Sequence, residues 1–286
     1  MPDVEPARWL RKMMRAFASL AFLLTAPRVG GVGEGGWADI PVEPLAALTV
    51  AEFHERYSRP SVPVILRADL ATLPLNSTWD VARLTSVCGD GQIIAYRADN
   101  SSRAWGGFAD DHVELPFRRF AAGAPSFGGR YGFDLFTRCD CPALLRDFRL
   151  PAAFAGDLLA LEPLVGWPRS PGLLVGPRGT RSAMHVDAQF LPFWITVLSG
   201  EKLFRLVSHD DWTRGFAPQI RAGGAAAARE PPLLDALGAT LARGVDGFDD
   251  AFVARELIRA RGATVFNGTL RAGDTLYVPV VMTAWW

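Results

Sequence analysis

His185 and Asp187, in the segment Met184-His-Val-Asp, have the types and spacing of a metal-binding pair. On a strand, side chains two positions apart leave the same face, so an imidazole and a carboxylate here can reach one ion from one side. That donor set suits non-haem iron(II), where a second histidine completes a facial triad and leaves three positions open. Taken alone, His-x-Asp is equally the mark of a surface turn or of a core histidine with satisfied nitrogens. The elements around it have to decide.

Those elements are short apolar runs separated by Gly and Pro: residues 173–175, 193–198, 203–207, 263–266 and 275–278. Such spacing predicts a sandwich or jelly roll. Residues 221–243, rich in Ala, Gly and Arg, are expected to form a loop with a poor helix. Residues 248–261 place Phe252, Val253, Leu257 and Ile258 on one helical stripe. The first half is mixed. Thr49 with Glu52 three positions on forms a capping box ahead of a helix, and a β-branched run follows at 61–66. Residues 79–88 return to helical period, 93–96 read as strand, and 141–161 as helix interrupted at Pro151. No internal repeat is present. Three segments follow: 1–36, signal-like or flexible; 37–170, an α/β part; and 171–286, a β core.

The chain of 286 residues, 49% hydrophobic and 21% charged, is long enough to bury a large core. Thirty basic residues balance thirty acidic ones, so no basic field is available to hold a nucleic-acid backbone, and no nucleic-acid partner is expected. The three cysteines, Cys88, Cys139 and Cys141, lack zinc-module spacing and allow at most one disulfide.

Two features bear on compartment. Arg8, Arg11, Lys12 and Arg15 precede an apolar run at 16–26, long enough for a signal-peptide core and too short to span a bilayer. Asp3, Glu5 and Pro27 fit a signal less well and leave an amphipathic helix as the alternative. The three asparagines, Asn76, Asn100 and Asn267, each open an acceptor sequon. A random asparagine in this composition does so about one time in eleven, and three together about once in a thousand. The secretory pathway is therefore expected, with the cytoplasm as the alternative if these are ordinary turn dipeptides.

Further motifs surround the His-x-Asp pair. Upstream stand Leu144-Leu-Arg-Asp-Phe-Arg-Leu-Pro, Phe154, Gly156-Asp-Leu-Leu and Gly176-Pro. Downstream come Trp194, Ser199-Gly-Glu-Lys202 and Ala272-Gly-Asp-Thr-Leu-Tyr-Val-Pro. In this order the chain resembles the smaller, hydroxylase-like members of the JmjC, cupin-like family of Fe(II)/2-oxoglutarate-dependent oxygenases, over most of residues 50–279. The resemblance implies a double-stranded β-helix, that is, a jelly roll of cupin/JmjC type, mainly β with α additions and preceded by a mixed α/β region. It implies Fe(II) held by His185 and Asp187, and 2-oxoglutarate as cosubstrate. Lys202 matches the lysine that pairs with the distal carboxylate of 2-oxoglutarate; Ser182 and Tyr131 match positions that help hold it. A protein or peptide substrate is implied, with side-chain hydroxylation favoured over demethylation.

The chain also departs from the pattern. Where some relatives have an asparagine after the tryptophan, it has Ile195. After Val278-Pro279 the family continues into a histidine that is the third iron ligand. Here the sequence reads Val-Val-Met-Thr-Ala-Trp-Trp286 and ends, and His54, His112 and His209 match no ligand position. The last strand is therefore expected to be missing, leaving an open edge near Tyr277, Trp285 and Trp286. A non-catalytic JmjC-like binding module is the alternative function.

Overall fold

The structure is a computed structural model that describes residues 36–68, 79–97, 112–136, 141–147, 172–180, 192–208, 211, 250–259, 262–279 and 282–285. Its centre is a pair of four-stranded sheets. One has the order β1-β10-β9-β12 and the other β2-β3-β11-β8. The strands are β1 (Trp37–Asp39), β2 (Val42–Pro44), β3 (Val64–Arg67), β8 (Phe193–Thr196), β9 (Glu201–Val207), β10 (Val265–Arg271), β11 (Thr275–Val278) and β12 (Thr283–Trp285). The chain crosses between the sheets at β1–β2, β8–β9, β10–β11 and β11–β12, so each sheet is assembled from segments far apart in sequence. This arrangement is mainly β, as expected, and compatible with a jelly roll.

Alternation explains why these residues form these layers. Phe204 and Leu206 of β9, Phe266 and Leu270 of β10, Ile65 of β3, and Leu276 and Val278 of β11 all point into one buried cluster between the sheets. Residues with the opposite parity on the second sheet, Val64, Leu66 and Tyr277, join another cluster outside it. Phe53 and Tyr57 complete that cluster from helix α1 (Val50–Phe53) and its π-helical continuation His54–Ser58. The helix starts as its sequence predicts. Thr49 Oγ1 accepts from the backbone N–H of Glu52, and the Glu52 carboxylate accepts from the backbone N–H of Thr49. Trp194, also on the outward parity of β8, packs partly buried against this cluster.

The turn between β10 and β11 is organised by one carboxylate. Asp274, 2% exposed, accepts from Arg67 Nε at 3.0 Å and Nη2 at 3.1 Å, and from the backbone N–H of Arg271 at 3.1 Å. Its backbone carbonyl accepts from the N–H of Val197, just after β8. A buried carboxylate needs such partners, because unpaired burial of a charge costs several kcal/mol. Meeting that need ties the end of β3, the β10–β11 turn and the end of β8 to one point.

A third sheet, β5-β4-β6-β7, comprises β4 (Gln92–Arg97), β5 (His112–Pro116), β6 (Arg130–Phe136) and β7 (Gly172–Val175). Three short helices, α2 (Val81–Cys88), α3 (Phe117–Ala121) and α4 (Pro142–Asp147), complete this part. They share with the sheet a core that includes Leu84, Ile93, Phe117, Phe120 and Leu144. A Cys88–Cys141 disulfide within that core joins α2 to the start of α4. Val175 and Leu198 pack against the same core. Leu198 lies between β8 and β9, so it brings the third sheet up to the sandwich.

Past β11 the chain enters one further described strand, the outermost of its sheet. Residues 283–285 form β12 and pair antiparallel with β9, matching Thr283 to Val207 and Trp285 to Arg205. Tyr277 is buried, with its ring centroid 4.9 Å from that of Phe53. It faces the N-terminal helix, because its parity on β11 is the outward one. Residues 221–243, and the helical stretch beyond 147, lie outside the described residues.

Asp274→Ala removes the acceptor of three hydrogen bonds and leaves Arg67 without its carboxylate. It is expected to lower stability by about 3 kcal/mol, read as a shift of the urea midpoint at unchanged slope.

Candidate functional site

Lys202 lies on the inner parity of β9, two residues before Phe204 and four before Leu206. Its register partner on β10 is the fully buried Leu270. The side chain therefore starts inside the sandwich and ends at its mouth, where an ammonium has little water around it. Burial pushes Lys202 down to about 7 from its ordinary 10.5.

The group that meets this ammonium comes from the third sheet. Lys202 Nζ donates to Tyr131 Oη at 2.9 Å. On β6, Gly132 faces the helical core, since a Cβ there would stand 2.5 Å from Ile93 Cδ1 and 2.9 Å from Phe120 Cζ. Tyr131, one residue earlier, consequently faces the opposite way, toward the sandwich. Its ring lies against Gly176, where a Cβ would fall 2.3 Å from Tyr131 Cδ2. The absence of a side chain at Gly176 is what allows the ring to lie there. Next to Gly176, Thr180 Oγ1 donates to the carbonyl of Pro177 at 3.0 Å and closes the turn after β7.

On the same face of the third sheet, Tyr131 pairs in register with Tyr96, and Tyr96 with His112. The Tyr96 and His112 rings are 5.8 Å apart. A row of ring side chains thus runs from the exposed edge strand to the lysine.

Two of the residues carried over from the resemblance, Lys202 and Tyr131, are in direct contact. Ser182, His185 and Asp187 lie outside the described residues. Among the described residues no group of three or more His, Cys, Asp or Glu could hold a metal ion. His54 and His112 are exposed, on α1's continuation and on β5. Ile195 points into the sandwich interior from β8, in register with Leu276, so an apolar group fills the place at which some relatives present an amide. In the sequence Gly176-Pro stands only as one motif of the run; the tyrosine ring shows what that glycine is for.

Lys202, Tyr131 and Gly176 together offer an enclosed cation, a phenol and a backbone surface without a side chain, groups suited to a carboxylate. The chemistry of His185 and Asp187 suits iron(II).

No family model matches the chain. It is 26% identical over 181 residues to the arginine-specific demethylase JMJ22 of Arabidopsis thaliana, a match covering 61% of this chain and 32% of that protein. It is 24% identical over 168 residues to the lysine-specific demethylase JMJ21 of the same plant, covering 58% of this chain and 17% of that protein. The chain thus spans a third or less of the length of these curated relatives. These similarities support a JmjC-type oxygenase in general terms.

The lowered Lys202 has a consequence for stability. Between about 7 and 10.5 the unfolded chain holds a proton that the folded one lacks, so this group's contribution to stability rises with pH across that window and is constant below it. Relative to Lys202→Met, the unmodified protein is expected to gain in thermal midpoint between about pH 6.5 and about pH 9. An unchanging gap would show that the ammonium is not enclosed. Gly176→Ala, which pushes on the Tyr131 ring, is expected to weaken carboxylate binding without altering the fold, as read by circular dichroism.

Proposed function

We propose that the chain is a JmjC-type Fe(II)/2-oxoglutarate-dependent oxygenase that hydroxylates a side chain of a protein or peptide substrate. One observation carries this reading: an enclosed lysine ammonium on β9, the second described strand after the His-x-Asp segment, joined to a phenol of the third sheet. A cation in such a place is favoured by an anion brought with the ligand, and the distal carboxylate of 2-oxoglutarate is that anion. Lys202 would pair with it, and Tyr131 would hold the lysine in line. His185 and Asp187 would hold the iron. When bound, iron(II) and 2-oxoglutarate would support oxidation by dioxygen, one oxygen atom going to the succinate formed as the cosubstrate loses carbon dioxide and the other entering a C–H bond of the substrate.

The lysine also accounts for a proton. As the carboxylate enters, its charge favours the ammonium and raises the depressed lysine, so above about pH 7 binding takes up a proton. Hydroxylation is preferred to demethylation because the motif run resembles the smaller hydroxylases. Both outcomes begin with oxygen insertion at carbon. They differ in whether that carbon is attached to nitrogen and leaves as formaldehyde.

We place this activity in the secretory pathway. The Cys88–Cys141 disulfide is of a kind that persists in oxidising compartments, and it joins the three sequons in support. No described helix is long and apolar enough to cross a membrane.

The test uses the full chain with iron(II). Titration of 2-oxoglutarate in two buffers of different ionisation enthalpy, near about pH 8, is expected to show proton uptake that disappears in Lys202→Met. In a chain extended through the third-ligand histidine that the resemblance implies, Asp187→Ala is expected to abolish both 2-oxoglutarate turnover and most metal affinity. Undiminished turnover in that variant would overturn the metal assignment. Binding of neither iron nor 2-oxoglutarate by the unsubstituted chain would instead identify a non-catalytic module. Retained product oxygen without formaldehyde distinguishes hydroxylation.

A further inference from the structure

Gly268 and its neighbours are arranged in a way the oxygenase reading does not use. They lie in the middle of β10, so Asn267-Gly268-Thr269 is not a turn dipeptide. Gly268 faces inward, where a Cβ would stand 2.9 Å from Ile40 Cδ1 and 3.1 Å from Ile65 Cδ1. Close approach of the two sheets accounts for the glycine. It does not account for Asn267 or Thr269, which the alternation sends to the outer face.

There Asn267 lines an open cleft of about 390 Å³ with Trp37, Ala38, Asp39, Arg205 and Asp250. Arg205, its register partner on β9, donates from Nε to Asn267 Oδ1 at 3.4 Å. The same guanidinium is paired with Asp250 and stands 4.8 Å from the centre of the Trp37 ring. Holding the oxygen leaves Nδ2 on the side of the planar amide away from Arg205. Thr269 is exposed. Trp37, 44% exposed, carries the Arg205 guanidinium over its ring and presents the rest of its indole to the cleft.

The geometry points to Asn267 as an N-glycosylated residue whose own first sugars lie in this cleft, against Trp37. The inference rests on the secretory placement above. In the transfer, Asn267 Nδ2 forms a bond to the anomeric carbon of the first N-acetylhexosamine of a lipid-diphosphate-linked oligosaccharide. The bond from that carbon to the diphosphate oxygen breaks, the lipid diphosphate leaves with the electron pair, and the amide nitrogen gives up one proton. In the folded protein the cleft has what a sugar needs. The indole offers an apolar face for the C–H face of the ring, and Asp39 and Asp250 offer acceptors for hydroxyls.

The experiment expresses the full chain in a eukaryotic secretory host behind an added signal peptide, so that entry into the pathway does not depend on residues 1–36. Purified protein is treated with an N-glycosidase in heavy-oxygen water, and peptides are read by mass spectrometry. Asn267 is expected to be recovered as labelled aspartate, and Thr269→Ala, which leaves the Arg205 contact intact, is expected to abolish that label. Trp37→Ala is expected to keep the label while its glycan passes from endoglycosidase-H-sensitive to resistant, as a chain released from a surface becomes open to processing enzymes. Removal of the added signal peptide with Asn267 unlabelled overturns the assignment, whether or not Asn76 and Asn100 are labelled. Unchanged glycan processing in Trp37→Ala overturns the role given to the ring. A parallel expression from the chain's own N-terminus tests the secretory placement separately.

Discussion

A buried carboxylate sets the geometry of the sandwich. Asp274 is almost wholly enclosed, and its partners come from β3, from the residue three positions before it in the turn, and, through its backbone, from the residue after β8. Hydrophobic burial alone holds two sheets together without fixing how one slides over the other, because apolar contacts carry little direction. A bidentate arginine–carboxylate pair has direction. It fixes the turn at which β10 passes into β11, and so the relative place of the strand carrying Leu270 and the strand carrying Leu276. Lys202 is opposite Leu270, so the position of the cation inherits this constraint.

Lys202 is enclosed beside Leu270 and donates to the Tyr131 hydroxyl. Its ammonium is accordingly depressed to about 7. In the proposed function an incoming carboxylate would add a charge-assisted hydrogen bond to this ammonium. Specificity follows from the same arrangement. A neutral ligand of similar shape would have to occupy the mouth without supplying the charge, and sites built around a buried polar partner discriminate strongly against ligands that lack it.

What could be read in the sequence was what is decided locally. The Thr49–Glu52 capping box is a four-residue matter, and it formed as expected. The strands at 203–207 and 275–278 declared themselves as short apolar runs set off by Gly and Pro, and both are buried along most of their length. Pairing is different. That β1 lies parallel to β10, across more than two hundred residues, depends on contacts no local pattern records. The partner of Cys88 was equally hidden, since Cys139 and Cys141 are two residues apart and spacing does not separate them. Tyr277 was placed at an open edge because the reading followed the chain rather than the parity of β11, which turns that ring toward Phe53. Tyr131 and Lys202 entered through resemblance, and only the folded chain shows Gly176 making room for their contact.

β9 shows how one strand serves two surfaces. Its inward residues run from the lysine at the mouth to Phe204 and Leu206 in the core, so the reactive end and the stable end are one continuous row. Its outward residues include Arg205, which is buried without belonging to the core and spends its guanidinium on Asn267, Asp250 and the Trp37 ring. Since β10 and β12 flank β9 on either side, neither row can shift without moving the other. A change on the outer cleft that displaces Arg205 would tilt Lys202 by the same rotation of the strand. The polar cluster outside the sheet therefore helps to keep the inner cation aimed, whatever else it binds.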